Sequence, residues 1–494
     1  MRRARSAGPV PRLLVFALLG VVVLSSCVGV PPPPAEARIV IFHSNDVHGK
    51  IDNFAKVAAV IEAERKSGAD VLFFSAGDNF TGDPVVDRYE PPGEPVRKVL
   101  DRLRLDVLTI GNHEFDYGLG TLRKLAARFP TVSANLEARP GVFPELKPWV
   151  VLMTKSGIRM AVFGLIQIEP VSGIPSTHPD KIKDLRFGDP LAKALEMKTL
   201  RASGEVLIGL THIGYKQDLL LAGRMPELDV IIGGHSHTRI DPAELVNGVL
   251  VAQTGADNQF LGRIDLRLKD GRVVEKSGRL IDLGLMRDED KKIKAMIAKF
   301  HQNPSLARVI AKAPFEITGK DDLGSLMTDA IREAHGLDIA LHNNGGIRLK
   351  SLPTAITLKD IYTLEPFGNL IVEIAMTPDE IRSLIKSSFE KQDEIDLQVS
   401  GMSYLIRTDG NQKIKDIKLS HPDGSPMAED RTYQVGLSSY VASSYRFDHQ
   451  DPGRSLQTTV ADDLIRYLQS GVDLGVYRNV QRAFWEKAAE SSRD

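Results

Sequence analysis

Five short runs of apolar residues in the first half of the chain each stop abruptly at a polar loop. Ile39-Val40-Ile41-Phe42 gives way to His43-Ser44-Asn45-Asp46-Val47-His48-Gly49, and Val71-Leu72-Phe73-Phe74 to Ser75-Ala76-Gly77-Asp78-Asn79. Val107-Leu108-Thr109-Ile110 runs into Gly111-Asn112-His113-Glu114-Phe115-Asp116, and Val206-Leu207-Ile208-Gly209-Leu210 into Thr211-His212-Ile213-Gly214. Val230-Ile231-Ile232 ends at Gly233-Gly234-His235-Ser236-His237-Thr238. Short β-branched runs bounded by glycine predict buried strands. Between them, Phe54 to Lys66 and Leu119 to Arg128 carry apolar residues at helical spacing. Strand, loop and helix in repetition predict an α/β domain with a largely parallel or mixed sheet and helices on both faces. The stretch from Val249-Leu250-Val251-Ala252 to Ile264-Asp265-Leu266 reads as hairpins closing the sheet layer.

Asp288 to Phe300 reads as a charged amphipathic helix, acids first and lysines after, an order that suits the helix dipole. Pro304 follows it, and the domain junction is placed here. Beyond it a helix from Leu323 to Ala334 leads into a strand and the loop His342-Asn343-Asn344-Gly345-Gly346-Ile347-Arg348. Later come Glu365-Pro366-Phe367-Gly368-Asn369 and a strand at Tyr433 to Leu437. A chain of 494 residues is expected to hold two domains. These are read as residues 38–285 and 313–494, with a linker helix over 286–312.

Hydrophobic and charged fractions of 42% and 26% are those of a globular protein, and the net charge is −1. Nothing forms the clustered basic face that a polynucleotide requires, so polymeric nucleic acid is not expected as a partner. The N-terminus changes the picture more. Arg2, Arg3, Arg5 and Arg12 flank an apolar stretch from Leu13 to Leu24, too short to span a bilayer comfortably and typical of a signal peptide. It ends in Leu24-Ser25-Ser26-Cys27. Small residues before a cysteine resemble a bacterial lipobox, so residues 1–26 read as a lipoprotein signal and Cys27 as its lipidation site. Pro31-Pro32-Pro33-Pro34 gives residues 27–37 the composition of a stiff tether. The expectation is a periplasmic or cell-surface lipoprotein, monomeric, that meets the membrane only through this lipid.

The loops that end the five runs carry the candidate chemistry. Residues just past parallel strand ends converge on one edge of a sheet, where α/β proteins bind ligands. Asp46 and His48, two apart, can face one metal. Asp78 offers a carboxylate able to bridge two cations, Asn112 a carbonyl oxygen, and His212, His235 and His237 ring nitrogens. Mixed nitrogen and oxygen ligation suits Mn, Fe, Zn or Co. His113 and Asp116 lie close enough for the carboxylate to orient the ring, which could then stabilise a developing anion or protonate a leaving oxygen. His43 is read as structural and Glu114 as a solvated loop residue. His178, His301, His335, His421 and His449 are read as surface or structural.

These motifs, H-S-N-D-V-H-G, G-D-N, G-N-H-E-F-D, T-H-I-G and G-G-H-S-H-T in this order, resemble the calcineurin-like metallophosphoesterase superfamily. More closely they resemble the bacterial 5′-nucleotidase, UDP-sugar hydrolase and 2′,3′-cyclic phosphodiesterase family, and the likeness covers almost the whole mature chain. The resemblance implies a four-layer αββα first domain and an α+β substrate domain. It implies two divalent metal ions. Asp46, His48 and His237 would hold one, Asn112, His212 and His235 the other, and Asp78 would bridge. His113 would be the transition-state residue and Asp116 its partner, and a water between the metals would attack phosphorus directly.

The same resemblance places substrate contacts in the second half. Asn343, Gly346 and Arg348 match the family's glycine loop, with Asn344 in place of a usual glycine. Phe367 and Tyr440 match two rings that sandwich a nucleobase. Two departures stand out. Ala442-Ser443-Ser444-Tyr445-Arg446-Phe447-Asp448 replaces a G-G-D-G-Y loop whose aspartate binds sugar hydroxyls. An arginine common before the Leu323-Gly324 helix is missing, with Lys320 the nearest cation. The expected function is an extracytoplasmic two-metal phosphoesterase acting on a small phosphate ester, a nucleotide first. A UDP-sugar, a 2′,3′-cyclic nucleotide, a sugar phosphate or a sulfur ester remains as alternative substrate. A non-catalytic surface protein is the reading from a different class, and the complete ligand set speaks against it. The region of Asp288 to Phe300 and Asn303-Pro304 is the expected hinge between the halves.

Overall fold

The computed structural model describes residues 35–170 and 172–487. The residues read as a signal peptide, Cys27 and the proline run lie outside the described residues. The first half supplies strands β1 (Glu36–Ser44), β2 (Asp70–Ser75), β3 (Val107–Thr109), β4 (Trp149–Met153) and β5 (Arg159–Ile166). It continues with β6 (Val206–His212), β7 (Val230–Ile232), β8 (Val249–Ala252), β9 (Phe260–Lys269) and β10 (Arg272–Asp282). A seven-stranded sheet runs β10-β9-β1-β2-β3 and ends in two short strands, and a six-stranded sheet runs from a short edge strand through β8-β7-β6-β5 to β4.

The two sheets stack face to face, and this explains why the strands are apolar without alternation. Ile39 and Ile41 of β1 and Leu72 and Phe74 of β2 meet Ile208, Leu210 and Ile232 of the other sheet in one core. Val40, Phe42 and Phe73 point the other way, into a core shared with α1 (Phe54–Glu64), α2 (Glu94–Leu103) and, further along the chain, the helix Lys291–Phe300. Leu207, Ile231 and Val251 pack outward against α3 (Pro190–Glu196) and α4 (Tyr215–Arg224). A strand buried on both faces gains on every residue, at about 25 cal/mol per Å² of apolar surface. The result is the expected helix-sheet-sheet-helix sandwich. The expected hairpins form separately in the two sheets, β8 with the short strand Glu244–Val246 and β9 with β10.

The helix α5 (Lys291–Phe300) starts later than the expected Asp288. The Asp290 carboxylate accepts from the Lys292 and Ile293 N–H groups, so the acids precede the helix as its cap rather than forming its first turn. Ile293, Ile297 and Phe300 belong to the core of the first half.

The second half is built on β11 (Ile339–Asn343), β12 (Leu370–Met376), β13 (Leu397–Ser400), β14 (Tyr433–Ser438) and β15 (Arg454–Thr459), in the order β13-β11-β14-β12-β15. Its helices are α6 (Gly319–His335), α7 (Leu358–Leu364), α8 (Pro378–Gln392), α9 (Ser439–Ser444) and α10 (Val460–Gln469). One face packs on α6 and α10, the other on α8 and a small three-stranded sheet. The described residues from 35 to 487 form one compact unit. Across the junction Arg88 lies 3.9 Å over the Tyr362 ring, and Phe367 stacks on His113 with ring centres 5.6 Å apart. The loop before β12, which carries Phe367, therefore sits against the strand ends of the first half. No helix among the described residues is long and apolar enough to cross a membrane.

Candidate metal centre and cavity

Strands β1, β2 and β3 run parallel in one sheet, and β6 and β7 run parallel in the other. Their C-terminal ends come out at one edge, and the loops beyond carry Asp46, His48, Asp78, Asn112, His235 and His237, while His212 is the last residue of β6. Five of these residues have positive φ: Asp46 and His48 at 49°, Asp78 and His237 at 53° and His235 at 78°. Non-glycine residues seldom adopt this conformation, which costs about 1–3 kcal/mol each and concentrates at functional sites. Main-chain bonds hold it in place, with the Asp46 N–H on Gly77 O and the His48 N–H on Asp78 O, both 3.0 Å. Gly111 is required by close approach, since a Cβ there would sit 2.2 Å from Asp78 Oδ1.

The side chains converge in three overlapping groups able to hold a metal ion: Asp46, His48 and His237; Asp78, His212 and His235; and His48, Asp78 and His113. Asn112 Oδ1 lies 3.1 Å from His235 Nδ1, which brings the seventh expected ligand to the second group. Hydrogen bonds also set the tautomers. His48 Nδ1 donates to Thr81 O at 3.1 Å and His212 Nδ1 to Ala76 O at 2.7 Å, so in both rings Nε2 is the nitrogen left to face the site. His48 Nε2 faces His237 Nε2 at 3.0 Å. His212 Nε2 is buried without a well-aligned hydrogen bond, although Asp78 Oδ2 lies 3.1 Å away. Facing lone pairs and an orphaned ring nitrogen beside two carboxylates are what a divalent cation satisfies, so the residues fit the metal ions the motifs imply.

The electrostatics agree for most of the set. Burial, then the Arg348 guanidinium, holds His48 well below its ordinary pKa and takes His237 down to about 4. Burial and the charge of His212 take His235 down to about 3. These three rings are neutral and can ligate. Burial works against an ionised Asp78, but His212 and His113 outweigh it and hold the carboxyl well below its usual range. The opposite partner behaves accordingly: burial disfavours a charged His212, yet Asp78 and Asp46 raise it to about 10.

His113 Nδ1 lies 2.7 Å from Asp116 Oδ2. Burial opposes charge on His113, and the carboxylates of Asp78 and Asp116 overcome it, so the ring is raised above its ordinary value. The pair borders a cavity of about 250 Å³ between the halves. Asn343, Gly346, Arg348, Phe367 and Tyr440 all line it, as do Asp78, Asn112, His235 and His237. Arg348 Nη2 reaches within 3.5 Å of His48 Nε2, and its Cζ is 5.8 Å from the Phe367 ring centre.

Residues 39–239 match the calcineurin-like phosphoesterase family, and residues 305–446 match the 5′-nucleotidase C-terminal domain. The chain joins the two domains of the 5′-nucleotidase family. Among curated relatives, the trifunctional nucleotide phosphoesterase protein YfkN of Bacillus subtilis is 27% identical over 84% of this chain and 32% of its own. The chain thus spans about a third of that relative's length. The 5′-nucleotidase of Vibrio cholerae is 25% identical over 87% of this chain and 90% of its own. The crystal structure of a 5′-nucleotidase precursor from Thermus thermophilus superposes with a TM-score of 0.75 at 25% identity, over 91% of this chain and 99% of that one.

Within this 5′-nucleotidase frame, several residues depart from the sequence expectation. Glu114 is not a solvated loop residue. It is fully buried and accepts from the N–H groups of Gly111 (2.7 Å), Asp78 (2.8 Å) and Asn79 (2.7 Å), tying two ligand loops together. Its neighbourhood to two candidate ligands in G-N-H-E was the available signal. His178 and Lys181, from a segment no motif covers, line the cavity. Asp448 lies elsewhere, its N–H on Ser383 Oγ in a separate surface groove. Tyr445 reaches the cavity instead and donates its hydroxyl to Asp396, a buried carboxylate that also accepts from Ser388. Asn344, in the usual glycine position, donates from Nδ2 to Ile395 O and fastens the loop to the neighbouring chain. Lys320 props the same loop through Asn344 O at 2.9 Å and Ile347 O.

Proposed function

We propose that the protein is an extracytoplasmic two-metal phosphoesterase that hydrolyses nucleotides or closely related phosphate esters. The observation that carries this reading is a cavity lined on one side by four of the seven converging candidate ligands and an oriented histidine, and on the other by Arg348, Phe367 and Tyr440. Asp46, His48 and His237 would hold one divalent cation, and Asn112, His212 and His235 the second, with Asp78 shared. Bound there, two cations would supply Lewis-acid stabilisation of the phosphoryl oxygens and an acidified water. Arg348 offers a planar fork of donors to a phosphoryl group. Asp116 fixes the His113 ring through Nδ1 and leaves Nε2 to serve the leaving oxygen. Phe367 and Tyr440 are half-buried rings able to flank an aromatic leaving group. The extracytoplasmic part rests on the leader residues and Cys27.

A second reading concerns the leaving group. With Asp448 turned away and Asp396 taken by Tyr445, the carboxylates lining the cavity among the described residues are Asp78 and Asp116, both in use. This favours esters that need no acid to grip a sugar diol, such as 2′,3′-cyclic nucleotides or aryl phosphates. The test is hydrolysis by the protein starting at Val28, with Mn²⁺, of AMP, a UDP-sugar, 2′,3′-cyclic AMP and p-nitrophenyl phosphate, each product being resolved by chromatography. Preference for AMP or the UDP-sugar supports the first reading. Activity on the aryl or cyclic ester alone supports the second, and no hydrolysis of any of the four rejects both.

A further inference from the structure

We infer that Lys181 is a positioning residue for the His113–Asp116 pair, an inference that rests on the phosphoesterase reading for its catalytic meaning but not for its geometry. The Asp116 side chain is only 9% exposed, and its two oxygens are unequally served. Oδ2 takes the His113 Nδ1 hydrogen bond at 2.7 Å, whereas Oδ1 has the Thr177 hydroxyl at a longer 3.4 Å. Lys181 compensates from the same side. Its Nζ donates to the Asp116 carbonyl at 2.8 Å and stands 4.0 Å from Oδ1. One ammonium thus holds the residue's main chain and places positive charge beside the less-bonded oxygen. A buried carboxylate lacking such compensation would be costly and free to turn away from the ring.

The chain around Lys181 is built to deliver it. Pro179–Lys181 is a single 3-10 turn, capped by the His178 ring accepting from the Asp180 N–H. Ser176 O accepts from the Asn112 side chain at 3.2 Å, tying this stretch to a candidate metal ligand. Glu169 approaches Lys391 of α8 at 4.0 Å, tying it to the second half. An ordinary surface lysine would make a solvated ion pair of little worth. Lys181 instead lines the cavity with its side chain only 28% exposed.

In the reaction, the water oxygen bonds to phosphorus and the bond from phosphorus to the leaving oxygen breaks, its electron pair staying on that oxygen. His113 gives that oxygen a proton, and the proton lost by water passes to solvent. An alkoxide leaving group needs the proton far more than p-nitrophenolate does, so a defect acting through His113 discriminates between the two. In the full-length protein, Lys181→Met is expected to lower kcat on AMP about tenfold or more, with KM changed less than about twofold, and to cost several-fold less on p-nitrophenyl phosphate. Lys181→Arg should restore most of the loss. Equal losses on both esters, or none, would overturn the inference.

A readout without turnover separates the two ideas. The His113 Nδ1 proton, identified by its loss in His113→Ala, should give a low-field NMR resonance in wild type and Lys181→Arg that shifts or exchanges away in Lys181→Met. An unchanged resonance in Lys181→Met overturns the positioning role. A Lys181-dependent resonance in a protein that hydrolyses neither ester would reject the phosphoesterase reading and uphold the positioning role.

Discussion

Glu114 takes hydrogen bonds from the N–H groups of Gly111, Asp78 and Asn79 while lying wholly inside the protein. Removing the carboxylate would strand three buried donors at about 1–3 kcal/mol each. Glu114→Ala is therefore expected to lower the melting temperature and the bound metal together, by at least about 3 kcal/mol of stability. Normal metal content in a folded Glu114→Ala protein would show that the loops hold their shape without it. His113→Ala should behave in the opposite way. It removes a ring that belongs to one candidate ligand group but is oriented by Asp116, so kcat should fall by about 10²–10⁴ while metal content stays near normal. Loss of metal in step with activity would make His113 a ligand instead. Phe367→Ala should cost AMP more than p-nitrophenyl phosphate. Equal losses would reduce the ring to packing against His113, on which it stacks.

At the scale of elements, the strands are set by burial and the helices by their ends. The run Ile39 to Phe42 has no alternation because successive residues enter different cores. Helix α5 illustrates the other rule. Its acids stand before it, and Asp290 satisfies two N–H groups that would otherwise lack partners. Asp290→Ala should cost about 1 kcal/mol in urea unfolding, with little effect on the slope. A loss within error would mean that Ile293, Ile297 and Phe300 alone hold the helix in the first-half core. That packing also narrows the expected hinge to the residues after Phe300, including Asn303 and Pro304, because the helix itself moves with the first half.

For the whole molecule, the two halves meet around the cavity through the Arg88–Tyr362 contact, the His113–Phe367 stack and the approach of Arg348 to His48. Halves that meet around a substrate cavity are expected to part as substrate enters and product leaves. Arg88→Cys with Tyr362→Cys, in the protein starting at Val28 and joined by a short bifunctional thiol reagent, should lose turnover while keeping its metal. Cutting a cleavable version of the linker should restore it. Full activity in the linked protein would mean that this arrangement already admits and releases substrate.

The sequence by itself determined the strand-loop-helix order of the first domain and the residues that meet at its edge, while its two-sheet layering came only from the family resemblance. Strand period, glycine boundaries and the position of each polar loop just past a strand are local properties, and parallel pairing then brings the loops to one side without further information. It also marked Asn343, Gly346, Arg348, Phe367 and Tyr440, which do line one cavity. Only the tertiary structure decided what no local pattern encodes. Glu114 is buried because two other loops fold over it. Tyr445, not Asp448, reaches the cavity because α9 ends at Ser444 and its next residue turns inward onto Asp396. Lys181 comes to Asp116 across 65 residues of chain. Such long-range contacts depend on how elements pack, and the nature of the side chain alone does not reveal them.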